Sequence, residues 1–277
     1  MKRAAPQLKV GAKIGDDLTV LGVIDKQMRN PVYIVWHHRA WCPMACKVFA
    51  TRHKAEREAA ALSALAHPNT VRFFSVGAPP HMLMEFLEGP TLRRLIEKQP
   101  HGRLSVANAL RVAIHLGAAL HHVHARGYVH LDVKPHNVIV VHGRPVLFDF
   151  GSARRLDLPR PMHVSGTDPY IAPEECLMRE ITPAADVFGL GVTLYESLTG
   201  MRPFPQGTPR KPFPQTEKRP TPLGVHRPSL PAALEELVLA CLVVDPGERP
   251  SLPVLLPALH DHVKSGPPMW PPGFRPG

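Results

Sequence analysis

Two short runs hold most of the residues that could do chemistry. His130-Leu131-Asp132-Val133-Lys134-Pro135-His136-Asn137 brings an aspartate, a lysine and an asparagine close together, and Asp149-Phe150-Gly151 follows. The five fixed positions of H-x-D-x-K-P-x-N recur by chance about once in 10⁴ chains of this length. Carboxylate and amide oxygens are hard ligands of the kind Mg²⁺ prefers. Upstream, Lys47 interrupts an apolar run and Glu58 opens an alanine-rich stretch. Read singly, Lys47 is a lysine snorkelling out of a strand and Glu58 a solvated helix charge. The other metal candidates are weaker. Cys42 and Cys46 stand in C-x₃-C spacing behind His37 and His38, but Cys176 and Cys241 are isolated and complete no zinc site. None of the 17 histidines falls in an H-E-x-x-H or C₂H₂ pattern, and His121, His122 and His124 read as a helix surface with one packed imidazole.

The elements that must carry these residues fall into two regions. Strand signals cover Leu18–Ile24, Val32–Trp36, Ala45–Ala50, Val71–Val76 and His81–Leu87, with one helix over Thr51–Leu65 whose face is Glu58, Leu62 and Leu65. His67-Pro68-Asn69 breaks that helix. After Glu88-Gly89-Pro90 the pattern turns helical, over Leu92–Lys98, Val106–Arg126, Ala184–Thr199 and Ala232–Val244. Gly127 reads as a C-terminal helix stop, and Val138–Val141 with Pro145–Phe148 as a strand pair. Residues 201–231 hold nine prolines, which argues against a helix there, and 265–277 reads as a Pro/Gly tail.

Composition excludes several classes. With 277 residues, 44% hydrophobic and 20% charged, the chain can bury a core, despite 33 prolines and 20 glycines. Its longest apolar run, Leu237–Val244, is too short to span a bilayer. The basic N-terminus lacks the apolar core of a signal peptide, so a soluble cytoplasmic location is expected. The net charge of +10 is spread along the chain, Arg52, Lys54 and Arg57 apart, without aromatic interleaving. That pattern reads as a basic surface and not as a nucleic-acid site.

At the two runs described first, the chain resembles the protein kinase family, in which an H-R-D catalytic loop is followed by a D-F-G turn. Ala45-Cys46-Lys47 resembles that family's third-strand lysine motif, and Glu58 to Asn69 its αC helix. Gly166 to Glu174, Asp186 to Gly191 and Asp245 to Pro250 are similar to its later signatures, so the likeness runs over roughly residues 15–255 in the right order. It implies an α+β, bilobal fold: an N-lobe over 10–87, a helical C-lobe over 88–264 and the tail over 265–277. Its branch looks bacterial.

By that resemblance, Asp132 would accept the proton of a substrate hydroxyl and Lys134 would neutralise the γ-phosphate of ATP. Asn137 and Asp149 would hold Mg²⁺, and Lys47, oriented by Glu58, would bind the α/β-phosphates. Met84 would be the gatekeeper and Glu85 to Leu87 the hinge to adenine. Ile24, Val32, Ala45 and Ile139 complete the implied nucleotide site. Lys134 together with Gly166-Thr167 points to serine/threonine acceptors, with Thr167 in the catalytic set. Glu174 and Arg249 would form a scaffolding ion pair. In this company the functional readings of Lys47 and Glu58 prevail over the bland ones.

The chain also departs from the family. Asp25, Gln27 and Asn30 stand where three glycines are expected, and Pro31 removes a backbone donor; a register starting at Gly22 supplies only one glycine. Leu131 replaces the arginine before the catalytic aspartate, and no Ser, Thr or Tyr lies between Ala153 and His163. The expectation is an ATP- and Mg²⁺-dependent serine/threonine kinase, not switched by activation-loop phosphorylation and open to control by a partner protein. The proline-rich 201–231 segment occupies the place of a helix that family members often use for substrate docking. Two other readings stand beside the kinase: a pseudokinase scaffold, motivated by the missing glycines, and a small-molecule phosphotransferase.

Overall fold

Short antiparallel strands dominate the first part of the chain and helices the second, and the chain divides into two units, Met1–Glu88 and Gly89–Gly277. The computed structural model describes residues 5–25, 30–159 and 168–263. Gln27, Thr167 and the 265–277 tail lie outside these residues.

In the first unit, β1 (Lys13–Ile14), β2 (Leu18–Asp25), β3 (Val32–His37), β4 (Cys42–Val48), β5 (Phe73–Gly77) and β6 (His81–Glu85) form one antiparallel sheet in the order β1-β2-β3-β4-β6-β5. Strand alternation decides which side chains are buried together. Tyr33, Val35, Met44, Cys46, Val48 and Leu83 share the apolar core on one face. The opposite face of β4 is left to Ala45 and Lys47. The strand starts three residues earlier than its apolar run suggests. Pro43 is tolerated because β6 pairs only from Met44 onward, so no second strand asks for its missing N–H. Helix α1 (Arg52–Ala64) is rich in alanine, the strongest helix former, and buries Glu58 and Leu62 along one stripe.

The second unit is built around a helix buried on every side. Helices α2 (Leu92–Lys98), α3 (Val106–His124), α4 (Pro173–Cys176), α5 (Ala184–Thr199), α6 (Leu223–His226), α7 (Ala232–Ala240) and α8 (Leu252–Val263) carry it, with the strand pairs β7 (Tyr128–Val129)–β10 (Arg154–Arg155) and β8 (Val138–Val141)–β9 (Arg144–Leu147). All residues of α5 from Ala185 to Thr199 are buried, its apolar side chains on every face and its two charged ones, Asp186 and Glu196, each hydrogen-bonded. Close packing needs small residues: a Cβ on Gly191 would meet the Cβ of Cys241 at 2.6 Å, and one on Gly117 would meet Leu256 at 2.4 Å.

Four expectations for this unit change. Residues 201–231, expected to hold no helix, contain the one-turn α6, which starts directly after Pro222 where the fixed proline backbone leads into a helix. Helix α7 ends at Ala240, not Val244, because Arg249 takes the carbonyls of Val243 and Val244. Helix α3 ends at His124, and Gly127, at φ 74°, lies beyond its C-cap residue Ala125. Helix α8 has no counterpart among the expected elements, because Pro253 and Pro257 mask its pattern. Pro253 sits in the first turn, where no helical N–H bond is made anyway, and Leu252, Leu255 and Leu259 are buried.

Candidate active site

Each unit, taken by itself, holds buried polar side chains. In the first, Lys47 Nζ donates to Glu58 Oε1 at 2.7 Å and Oε2 at 3.0 Å, with both side chains almost wholly buried. A lone charge at either position would be costly, so each holds the other in place. The sheet register sets Val32 opposite Lys47, and Ile34 and Met84 opposite Ala45. These directly paired residues share one face, so Val32, Ala45, Lys47 and Met84 lie together. Glu85 is opposite Met44, and Leu87 is buried just beyond the strand. Ile24 is different: it is the extra residue of a bulge between Val23 and Asp25 and is 48% exposed. Asp25 ends β2 opposite Val32, and Pro31 offers its carbonyl to Val48 N at 3.0 Å.

In the second unit, Asp132 is the point of convergence. Lys134 Nζ donates to its Oδ1 at 2.9 Å and Oδ2 at 2.7 Å. Asn137 Nδ2 donates to the same Oδ2 at 2.7 Å and to the Asp132 carbonyl at 2.9 Å. The Asn137 amide is thus committed by its nitrogen to Asp132, and neither of these bonds uses its oxygen. Phe148 N donates to Asn137 O at 3.0 Å and so holds the start of Asp149-Phe150-Gly151 beside the loop. Asp149 itself adopts a left-handed backbone, φ 61°, and accepts a bond from Gly151 N. Ile139 lies on β8 and bridges to Thr91.

The loop is fixed from below by Asp186 on α5. Its carboxylate accepts from His130 N, Leu131 N and His124 Nε2, each at 2.8 Å. Burial pushes the Asp186 carboxyl up, but His124 and the backbone donors outweigh that and hold it below its ordinary value. His124 is therefore the packed imidazole of the histidine cluster. The ring of Phe150 meets that of His130 edge-on, with centroids 4.6 Å apart. Leu131 is buried at φ 62° and brings no charge to the position before Asp132.

Of the other polar groups in this unit, the Glu174–Arg249 ion pair is the one the family resemblance implies, and the rest are legible only in three dimensions. Arg249 clamps Glu174 through two 2.7 Å bonds and also donates to the carbonyls of Ala184, Val243 and Val244. Tyr170 donates to Glu196 Oε2 at 2.5 Å, and Arg93 bonds the other oxygen of Glu196. Neither Arg93 nor Tyr170 stands near Glu196 in the sequence, so no local motif announces the cluster. Among the described residues no group of three or more His, Cys, Asp or Glu could hold a metal. The donors present are one carboxylate and one amide oxygen. They fit a cation that takes few protein ligands and the rest from phosphates and water, as Mg²⁺ does. No such set includes Cys46, whose thiol burial pushes up to about 12.

Glu175 was not singled out by its spacing. It is buried, accepts from Ala172 N, and burial pushes its carboxyl up to about 8, with Asp186, Glu174 and Asp132 adding to the effect. A raised folded-state value means that ionisation opposes folding. Stability should therefore fall as pH rises from about 4.5 towards 8. Glu175→Gln is expected to match wild type in thermal unfolding near pH 5 and to unfold at higher temperature near pH 8. Parallel pH profiles for the two proteins would show that Glu175 does not carry the effect.

The protein kinase domain model matches residues 30–261. The chain belongs to the protein kinase family. Serine/threonine-protein kinase PknA of Mycobacterium tuberculosis is 34% identical over 214 residues, covering 73% of this chain and 48% of PknA. PrkC of Bacillus subtilis is 32% identical over 201 residues, covering 70% of this chain and 31% of PrkC. PkaA of Streptomyces coelicolor is 36% identical over 209 residues, covering 70% of this chain and 37% of PkaA. The chain thus spans less than half the length of these relatives. The solved kinase domain of M. tuberculosis PknI superposes with a TM-score of 0.72 at 23% identity, covering 92% of this chain and 99% of that one, a likeness of fold. PknA, PrkC and PkaA are bacterial serine/threonine-protein kinases. Among the described residues of this chain no helix is long and apolar enough to cross a membrane.

Proposed function

We propose that this kinase domain transfers the γ-phosphoryl group of Mg²⁺-ATP to a serine or threonine hydroxyl of a protein. The observation that carries the reading is the convergence of Lys134 and Asn137 on the Asp132 carboxylate. In the step itself the acceptor oxygen bonds to the γ-phosphorus while its proton passes to Asp132. The bond to the β–γ bridging oxygen breaks, and its electron pair leaves on ADP. Lys134 lies against Asp132 and would offset charge on the transferring group. Asp149 and the amide oxygen of Asn137 would hold Mg²⁺, which when bound offsets phosphate charge and fixes its geometry. Lys47, held by Glu58, would bind the α- and β-phosphates. Val32, Ala45 and Met84 would meet the adenine, with Ile24 and Ile139, and Glu85 and Leu87 would offer it backbone groups. Thr167 would favour hydroxyl acceptors of the serine/threonine type.

Regulation follows from two features of this chain. Leu131 brings no cation that an activation-loop phosphate could neutralise, and residues 153–163 hold no phosphorylatable side chain. We infer that activity is constitutive or set by a protein partner. The four cysteines are all free, which suits a reducing, cytoplasmic setting. One specific observation favours a non-catalytic reading: residues 25–31 contain no glycine to admit phosphates close to the backbone.

Labelled γ-phosphate and a generic basic protein decide between them. Transfer that depends on Mg²⁺, with no phosphate on the kinase domain needed for full rate, is the expected result. Absence of both transfer and ATP binding would establish the scaffold reading instead. Mass spectrometry of the reacted protein checks the regulation: a stoichiometric, rate-raising phosphate on Ser165 or Thr167 would overturn it.

A further inference from the structure

The proline-rich segment forms a built surface rather than a slack loop. Thr208 and Lys211 exchange backbone hydrogen bonds at 2.9 and 3.0 Å. Gly207 passes so close to the Pro212 carbonyl that an added Cβ would lie 2.1 Å from its oxygen. The fully buried Gln215 donates from Nε2 to Ile171 O at 3.1 Å, and Thr221 N donates to Pro203 O at 2.8 Å. The segment is thereby tied at its base and to the chain that ends the activation segment.

It encloses an open cavity of about 270 Å³. Leu177, Pro212 and Phe213 line it, with Arg210, Lys211 and Lys218 among the lining residues. Leu177 is 44% exposed, a large apolar side chain left facing solvent. Glu217 is the only acidic residue between 201 and 231 and is bridged to Lys211 at 2.8 Å, so Arg210, Lys218 and the neighbouring Arg219 leave the rim in positive excess. The cavity lies at the small end of the range of about 300–1,000 Å³ for small-molecule clefts and has room for an apolar side chain together with its flanking residues.

We propose that this pocket docks an acidic segment of a protein substrate, one apolar side chain seated on Leu177 and Phe213 and flanking carboxylates on Arg210 and Lys218. Charge complementarity selects that occupant. A second copy is disfavoured because the chain carries a net charge of +10. The 264–277 tail, with Lys264 and Arg275 and no acid, has the wrong sign. Calling the occupant a substrate rests on the transferase activity proposed above, whereas its binding does not.

The test uses the full chain and a fluorescein-labelled peptide of aspartate and glutamate around one central leucine. Anisotropy should show saturable binding that weakens at least tenfold in R210E/K218E, in Phe213→Ala, and when glycine replaces the leucine, with thermal unfolding of both variants unchanged. Equal binding by wild type and R210E/K218E would overturn the proposal. So would equally effective competition by a DNA oligonucleotide, which would mark a general polyanion surface, or self-association that displaces the peptide. In a second arm the peptide is fused to a phosphoacceptor sequence. KM should fall about tenfold for wild type with kcat unchanged, and not for R210E/K218E. Transfer that ignores the fusion would overturn docking as a substrate function. Peptide binding without any transfer would instead count against the transferase reading and leave the pocket's occupant standing.

Discussion

Asp132→Asn is expected to lower kcat by roughly 10²–10⁴-fold, the range for losing a positioned acid–base group, while the Kd for ATP changes little. The reason lies in the loop's geometry. The aspartate offers two oxygens, of which both accept from Lys134 and one also from Asn137. An asparagine keeps the shape but offers one oxygen, cannot take a proton and carries no charge to hold Lys134. Its effect should therefore fall on the chemical step and not on nucleotide binding. Single-turnover transfer of labelled γ-phosphate, paired with ATP titration by thermal shift, separates the two. A variant with wild-type single-turnover rate would remove Asp132 from the proton path. A variant that loses ATP binding along with turnover would show that the substitution acts through structure.

The largest effect on stability is expected at the other buried ion pair. Arg249→Ala should cost about 3–5 kcal/mol, because it strands the Glu174 carboxylate away from water. The guanidinium and the carboxylate are each almost wholly buried, and the guanidinium also satisfies three backbone carbonyls and lies 5.1 Å from the centre of the Phe188 ring. Urea unfolding of Arg249→Ala, Glu174→Gln and the double variant measures the coupling. The double variant should be less destabilised than the sum of the singles by roughly 0.5–3 kcal/mol, as for residues acting as one unit. Strict additivity would mean that Arg249 acts through the carbonyls and the ring alone.

How much of this could be read from the sequence depended on distance along the chain. Asp132, Lys134 and Asn137 announce themselves because one short loop holds all three, and local spacing preserves that. The pairing of Lys47 with Glu58 was legible only through the family resemblance, because singly a strand lysine and a helix glutamate read as solvated charges and only the fold buries them against each other. The longer strands and helices α1, α2, α3, α5 and α7 followed from periodicity, whereas the two-residue strands β1, β7 and β10 and the one-turn helices α4 and α6 are too short to show a period. Helix α8 did not follow from it either, since two prolines disguise a segment whose burial, and not its propensity, makes it helical. The Arg93–Tyr170–Glu196 cluster was also hidden, because it joins three segments separated by dozens of residues and none carries a distinctive neighbour. Glu175 gave no signal either. A glutamate beside Glu174 reads as surface charge until the fold buries it.

Helix α5 sets a length standard for this unit. Asp186 near one end fixes the catalytic loop, Thr193 Oγ1 reaches the Val133 carbonyl at 3.4 Å, and Glu196 near the other end receives Tyr170. At 1.5 Å of rise per residue, Asp186 and Glu196 stand about 15 Å apart along a rod that cannot bend into solvent on any side. The chain can change its surface loops freely around such a rod, as the proline-rich segment illustrates. It cannot change the rod's count. One residue removed between Asp186 and Glu196 would turn every later side chain by about 100° and shift it by one rise, so the loop and Tyr170 would no longer be measured from the same reference. Drift in this domain is therefore expected as substitution, and insertion or deletion should fall outside α5.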